Sequence, residues 1–124
     1  MAFKNILHID DDPDDCEMFE QALREVSQAL YTCIGNPLKA LQKLLTGKIN
    51  PDIIILDYNM PGLNGMDLLA QLKKNDNLAD IPVIMLSTSS REDFKLQAIE
   101  LGAINYITKP SSFIELKSII RTIL

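Results

Sequence analysis

Five polar residues able to bind ions or transfer groups stand directly after apolar segments of this chain. Asp10 and Asp11 follow the first apolar segment, and Asp57 follows a later one. Ser87 and Lys109 occupy corresponding positions after two further segments. If these segments are adjacent parallel strands, the five side chains meet at one edge of the sheet, where open α/β proteins bind ligands.

The three carboxylates predict a site for a divalent cation. Two carboxylates about 4 Å apart repel by roughly 4 kcal/mol at the effective dielectric found near a protein surface. The repulsion is relieved when one carboxyl keeps a proton, with a raised pKa, or when a cation binds between them. The oxygen ligands of Asp10, Asp11 and Asp57 match the preference of Mg²⁺, so Mg²⁺ is the expected cofactor.

Lys109 and Ser87 extend this prediction to a phosphoryl group. The Lys109 ammonium suits a phosphate oxygen, and the Ser87 hydroxyl adds a donor. Phosphoryl transfer depends mostly on positioning and charge neutralisation, and a carboxylate such as Asp57 can be the acceptor. Each residue alone also has a purely structural explanation, so the hypothesis depends on their combination.

Composition narrows the class of protein. A chain of 124 residues with 47% apolar content is expected to form a single domain, residues 1–124. The net charge of −5 argues against binding to nucleic acid or to anionic membranes. Without a signal sequence or a membrane-spanning stretch, the protein is expected in the cytoplasm, with Cys16 and Cys33 as buried free thiols.

Apolar segments of strand length alternate with segments of helical period, which predicts repeated βα units and a parallel sheet. The strands are expected near residues 5–10, 30–34, 51–57, 82–87 and 105–108. Their β-branched content and lack of alternation indicate burial on both faces of the sheet.

The first helix has a clear start. Asp12 can cap it, Pro13 suits its first position, and Asp14 and Asp15 favour the positive end of the helix dipole. For these three aspartates we adopt this structural interpretation rather than a role in the site.

Four more helices are predicted from apolar spacing and from end signals. They begin at Pro37, after Gly65, near Arg91 and at Ser111 or Ser112. In the second helix the leucines are expected to face inward, namely Leu38, Leu41, Leu44 and Leu45. The fifth helix carries an apolar stripe wider than packing against one sheet needs.

Four ordered motifs make the chain resemble the receiver domain of two-component response regulators along essentially its whole length. The motifs are IDDD at residues 9–12, DYNMPGLNG at 57–65, LST at 86–88 and YITKP at 106–110. The resemblance implies a three-layer, flavodoxin-like, doubly wound α/β fold, with a five-stranded parallel sheet of strand order 2-1-3-4-5.

The resemblance also implies roles for the site residues. Asp57 would accept a phosphoryl group from a sensor histidine kinase, a phosphotransfer protein or a small donor. Asp11 and Asp57 would bind Mg²⁺ through carboxylates, Asn59 through its backbone carbonyl, and Asp10 largely through water. Lys109 would pair with Asp57 before transfer and with the phosphoryl group afterwards, and its bond to Pro110 would be cis.

A conformational switch is implied as well. Ser87 would move toward the phosphoryl group, and the Tyr106 ring would fill the space left behind. The surface formed by the fourth helix, fifth strand and fifth helix would change, and with it the affinity for a downstream protein. The same surface is expected to support a homodimer. No output domain follows Leu124, so a stand-alone adaptor or phosphate shuttle is expected.

One departure and two alternatives accompany this interpretation. Thr88 stands where receivers commonly have Ala or Gly, and with Ser89 it is expected to alter the rates of phosphorylation and hydrolysis. A phosphatase of the haloacid-dehalogenase type also uses an Asp nucleophile and Mg²⁺, but it carries Asp-x-Asp after its first strand and a sizeable cap. A receiver that never carries phosphate is the second alternative.

Overall fold

The computed structural model describes residues 3–124, in which five strands alternate with five helices. The strands are β1 (Asn5–Ile9), β2 (Leu30–Ile34), β3 (Ile53–Asp57), β4 (Val83–Ser87) and β5 (Asn105–Thr108). The helices are α1 (Pro13–Arg24), α2 (Pro37–Leu45), α3 (Gly65–Lys74), α4 (Glu92–Glu100) and α5 (Phe113–Ile123). All five predicted strands are present.

The strands form one parallel sheet in the order β2-β1-β3-β4-β5, which confirms the predicted flavodoxin-like fold. The register pairs Ile9 with both Ile34 and Leu56, and Ser87 with Thr108. The carboxyl ends of β1, β3, β4 and β5 therefore lie together at one edge of the sheet.

Helices cover both faces of the sheet, which explains why every residue of β3 and β4 is buried. On one face Leu44 of α2, Leu69 of α3 and Ala98 of α4 belong to one apolar cluster. On the other face Phe19 of α1 and Ile120 of α5 belong to a second. These two clusters lie between the sheet and the helices on its two faces, which gives the three predicted layers.

The first helix begins as predicted. Asp12 is its N-cap, and the Asp12 side chain accepts a hydrogen bond of 2.9 Å from the backbone N–H of Asp14. Pro13 occupies the first helical position, where it has no backbone N–H to leave unpaired. Local sequence chemistry alone accounts for this start.

The predicted inner face of α2 is wrong for two leucines. Leu38 and Leu45 are 61% and 53% exposed, whereas Pro37, Ala40 and Leu44 are buried. The helix is rotated so that the small side chain of Ala40 packs close to the sheet. This rotation turns Leu38 and Leu45 toward solvent. Leu41 is partly buried against the core.

Two expectations about covalent geometry are also wrong. Among residues 3–124 there is no cis peptide bond, so Lys109–Pro110 is trans, the intrinsically preferred isomer. Cys16 and Cys33 form a disulfide rather than two free thiols. The first turn of α1 lies over β2, which brings their Cα atoms to 6.3 Å, a separation compatible with such a bond.

Candidate functional site

The structure brings together the polar side chains at the carboxyl edge of the sheet. The Lys109 Nζ atom lies 2.9 Å from Asp57 Oδ1 and 3.3 Å from Asp10 Oδ2. The Lys109 backbone N–H donates a hydrogen bond of 2.6 Å to the carbonyl oxygen of Ser87. Residues from β1, β3 and β4 are thus joined through the segment that follows β5.

The three carboxylates form one cluster. Asp10, Asp11 and Asp57 each place a carboxylate oxygen within 4.8 Å of the others. Asp10 and Asp57 are 1% and 2% exposed, whereas Asp11 is exposed to solvent. The cluster therefore offers hard oxygen ligands from two buried carboxylates and one carboxylate exposed to water. This arrangement fits Mg²⁺ with part of its hydration shell retained.

The two buried carboxylates have pKa values shifted in opposite directions. Burial raises the pKa of Asp57, and the charges of Asp10 and Asp11 add to this rise against the pull of Lys109. Burial would also raise the pKa of Asp10, but His8, the backbone N–H of Asp12 and Lys109 together hold it below its usual value. Asp57 is therefore the carboxylate whose charge is least well compensated.

Asp15 belongs to the site although the sequence analysis assigned it only to the helix start. Asp15 lies in the first turn of α1, and its Oδ2 atom is 2.8 Å from Lys109 Nζ. Burial alone would lower the pKa of Lys109, but the neighbouring carboxylates of Asp15, Asp57 and Asp10 raise it above its usual value. In the sequence, the first turn of α1 directly follows Asp10 and Asp11. This closeness is the signal that could have indicated a role for Asp15 in the site.

Ser87 and Tyr106 are linked through Ser89. The Ser87 hydroxyl oxygen accepts a hydrogen bond of 3.1 Å from the backbone N–H of Ser89. The Tyr106 hydroxyl donates one of 2.8 Å to the carbonyl oxygen of Ser89, and its ring is buried. Ser87 and Tyr106 are therefore connected by two hydrogen bonds to the backbone of the same residue, Ser89.

The loop after β3 carries Asn59 toward the segment that follows β4. The Asn59 side-chain amide lies 3.5 Å from the hydroxyl oxygen of Thr88, across the site from β3 to β4. The loop ends at Gly65, whose backbone N–H donates to the carbonyl oxygen of Tyr58 at 2.9 Å. This bond closes the loop tightly over the end of β3.

His8 is a packed core histidine. Its ring is buried, lies 4.8 Å from the Phe19 ring between centroids, and is joined to the Tyr31 hydroxyl by a hydrogen bond of 2.6 Å. Its Nε2 atom also lies 3.4 Å from Asp10 Oδ2. His8 therefore supports the position of Asp10 from beneath the cluster.

We expect Asp57→Asn to stabilise the metal-free protein at neutral pH by about 1 kcal/mol. The charge of Asp57 is repelled by two carboxylates and is costly to bury, and the attraction of the Lys109 ammonium does not offset both effects. The folded protein holds a proton on Asp57 more readily than the unfolded chain does. The stability of the parent should therefore fall as pH rises through the raised pKa of Asp57, and this slope should vanish in the variant.

Urea unfolding in the presence of a chelator measures this difference. Asp76→Asn, an exposed aspartate outside the cluster, is the matched control and should stay within about 0.5 kcal/mol of the parent. An unfolding midpoint lower for Asp57→Asn than for the parent would contradict the assignment of uncompensated charge to Asp57.

Acidic residues, a hydroxyl and a lysine at the carboxyl edge of a doubly wound parallel sheet form a site suited to a divalent cation and a phosphoryl group. The chain belongs to the response regulator receiver domain family, whose sequence profile matches residues 6–121. Receiver domains of two-component systems accept a phosphoryl group on an aspartate, from histidine kinases or phosphotransfer proteins, and bind Mg²⁺ at an acidic pocket. Family membership decides against the phosphatase alternative.

Relatives and solved structures agree with this membership. The chain is 39% identical over 126 residues to the phosphate regulon transcriptional regulatory protein PhoB of Pseudomonas aeruginosa, covering 100% of this chain and 53% of the relative. The phosphorylated cyanobacterial phytochrome response regulator RcpA superposes with a TM-score of 0.89 at 30% identity, over 98% of this chain and 91% of that one.

The Mn²⁺-bound form of response regulator Rcp1 superposes with a TM-score of 0.86 at 29% identity, over 97% of this chain and 91% of that one. The chain spans about half or less of the length of the first curated relatives it matches. Within residues 3–124, no helix has both the length and the apolar character needed to cross a membrane.

Proposed function

We propose that Asp57 is the phosphoryl acceptor of this receiver. The observation that carries the proposal is the position of Asp57: a buried carboxylate at the end of a central strand, 2.9 Å from the Lys109 ammonium and within the Asp10–Asp11 cluster. In the transfer step an Asp57 oxygen forms a bond to phosphorus while the bond from phosphorus to the donor's histidine nitrogen breaks. The electron pair of that bond leaves with the imidazole.

Mg²⁺ fits this site as a cofactor because two buried carboxylates and one exposed carboxylate need a compensating positive charge. The carboxylates of Asp11 and Asp57 and the backbone carbonyl of Asn59 would hold it, with Asp10 contributing largely through water. When bound, the ion supplies charge neutralisation for the incoming phosphoryl oxygens. Lys109 supplies a second positive charge 2.9 Å from Asp57 Oδ1, and its backbone is held by the hydrogen bond to the carbonyl oxygen of Ser87.

Ser87 and Tyr106 are the proposed switch. If the Ser87 hydroxyl turns to a phosphoryl oxygen on Asp57, it leaves the backbone N–H of Ser89, and the Ser89 carbonyl that holds the Tyr106 hydroxyl is displaced with it. A phosphoryl group adds about −1.5 to −2 units of charge, enough to bias such a two-state element.

The proposed output is the surface formed by α4, β5 and α5. Large apolar side chains are exposed on α4 and just before β5, namely Leu96, Ile99 and Ile104. Such residues suit a phosphorylation-dependent contact with a downstream protein or a homodimer. With a net charge of −5, neither nucleic acid nor a membrane is the expected partner, and we place the protein in the cytoplasm with its kinase.

Mass spectrometry after incubation with acetyl phosphate and Mg²⁺ tests the acceptor. The parent and the Asp76→Asn control should each gain one phosphoryl group, and Asp57→Asn should gain none. A parent that stays unlabelled would support the alternative of a receiver that never carries phosphate. Labelling that persists in Asp57→Asn would show that another residue is the acceptor.

A further inference from the structure

Lys109 contacts a third carboxylate that none of the proposed roles uses. The distance from Lys109 Nζ to Asp15 Oδ2 is 2.8 Å, against 2.9 Å to Asp57 and 3.3 Å to Asp10. Asp10 and Asp57 come from strand ends, whereas Asp15 comes from the first turn of α1. The lysine is therefore tied to a helix as well as to the sheet.

The contact is specific to Asp15 and does not follow from a generally acidic helix start. Asp14 is its neighbour in the same turn and carries the same charge, but among residues 3–124 it makes no ion pair within 4.0 Å. Because Asp14 and Asp15 share the helix dipole and the local field, any difference between them isolates the contact with Lys109.

An ammonium has three N–H groups and three carboxylates already surround Lys109, so a phosphoryl group on Asp57 adds acceptors in excess of the donors. A phosphoryl group on Asp57 needs at least one of these donors. The Asp10 side chain is fully buried, whereas the Asp15 side chain is 38% exposed and is the more easily rehydrated when Lys109 moves away. Asp15 is thus the partner that Lys109 can release at lowest cost.

We propose that Asp15 is a positioning residue for the phosphoryl site, which holds the Lys109 ammonium toward α1 before transfer and competes with the phosphoryl group for it afterwards. This inference rests on the proposed role of Asp57 and deepens it. Loss of the Asp15 carboxylate leaves Lys109 freer to attract an anionic donor and to retain the phosphoryl group. The interaction therefore lowers donor affinity and shortens the lifetime of the phosphorylated state.

The test compares Asp15→Asn with Asp14→Asn in phosphorylation by acetyl phosphate at fixed Mg²⁺ and two salt concentrations. For Asp15→Asn we expect the half-saturating donor concentration to fall, and the phosphorylated lifetime to rise, by about two- to fivefold, the range for one part-exposed ion pair. Asp14→Asn should stay within about 1.5-fold of the parent. Asp15→Glu, which keeps the carboxylate, should restore parental behaviour in both measurements.

A double-mutant cycle on urea unfolding in chelator provides a readout that does not need phosphorylation. Asp15→Asn and Lys109→Ala should show a non-additive effect on stability, whereas Asp14→Asn and Lys109→Ala should be additive. If Asp15→Asn and Asp14→Asn behave alike while the parent is labelled on Asp57, this inference alone is overturned. If the parent is never labelled, the proposed function fails as well, since there is no phosphoryl group for Asp15 to compete with.

Discussion

Lys109→Ala is expected to keep the fold and the acceptor but to lose the link between a phosphoryl group and the Tyr106 ring. The backbone bond from Lys109 to Ser87 survives in alanine, so the strand ends stay joined. The ammonium that contacts Asp10, Asp15 and Asp57 is removed. A hydrogen bond to a charged group is worth about 1.5–3 kcal/mol, so the shift toward the active state should fall at least about tenfold.

The measurement is the change in NMR chemical shift at Ser87, Ser89 and Tyr106 when a beryllium fluoride mimic of the phosphoryl group binds in the presence of Mg²⁺. The parent should respond at all three residues, and the variant should bind the mimic with little response at Tyr106. Parental shifts at Tyr106 in the variant would show that the lysine has no part in coupling.

The same substitution should also destabilise the metal-free protein by about 2–3 kcal/mol, because it leaves buried carboxylates without their cation. Mg²⁺ should restore part of this loss. Lys117→Ala is the matched control: its lysine pairs with Glu25 at 3.0 Å on an exposed surface, where the expected cost is below about 1 kcal/mol.

Gly65→Ala is expected to destabilise the protein by about 2–4 kcal/mol and to slow phosphorylation. A Cβ at this position would lie 2.4 Å from the carbonyl oxygen of Asp57 and 2.8 Å from the Cα of Tyr58. Both are backbone atoms, so no flexible side chain can move aside to admit the methyl group. The loop that carries Asn59 must shift instead, and with it the end of β3 that carries Asp57.

Gly35→Ala, in the loop after β2, is the control for Gly65→Ala. The nearest atom to its added Cβ is the Asp10 carbonyl oxygen at 3.6 Å, an ordinary contact, so the variant should stay within about 1 kcal/mol of the parent. Urea unfolding and labelling by acetyl phosphate check both variants. Equal stability and equal labelling rates for the two alanine variants would contradict the role assigned to Gly65.

Much of the fold was predictable because its signals are local. Asp12 and Pro13 define the start of α1 through one side-chain cap and one missing N–H. The β-branched apolar segments 53–56 and 83–86 identify central strands. They lack the alternation of apolar and polar residues that is typical of a sheet with one face exposed to solvent. Parallel strands then place Asp10, Asp57 and Ser87 at one edge without further information.

The orientation of α2 was not predictable in the same way. The four leucines of the segment lie within about one third of the helix circumference, so the sequence favours an orientation that buries all of them together. The packing of Ala40 close to the sheet selects one rotation and exposes Leu38 and Leu45. Helix rotation depends on the shape of the opposing surface, which the sequence of the helix does not contain.

The sequence by itself thus determined the parallel α/β architecture, the acidic edge and the candidate residues for a metal and a phosphoryl group. Only the tertiary structure decided that Asp15 joins Lys109 and that Cys16 meets Cys33, because each pair is far apart in sequence and spans different elements. Propensity and capping act over a few residues, whereas such contacts depend on where α1 lies over the sheet.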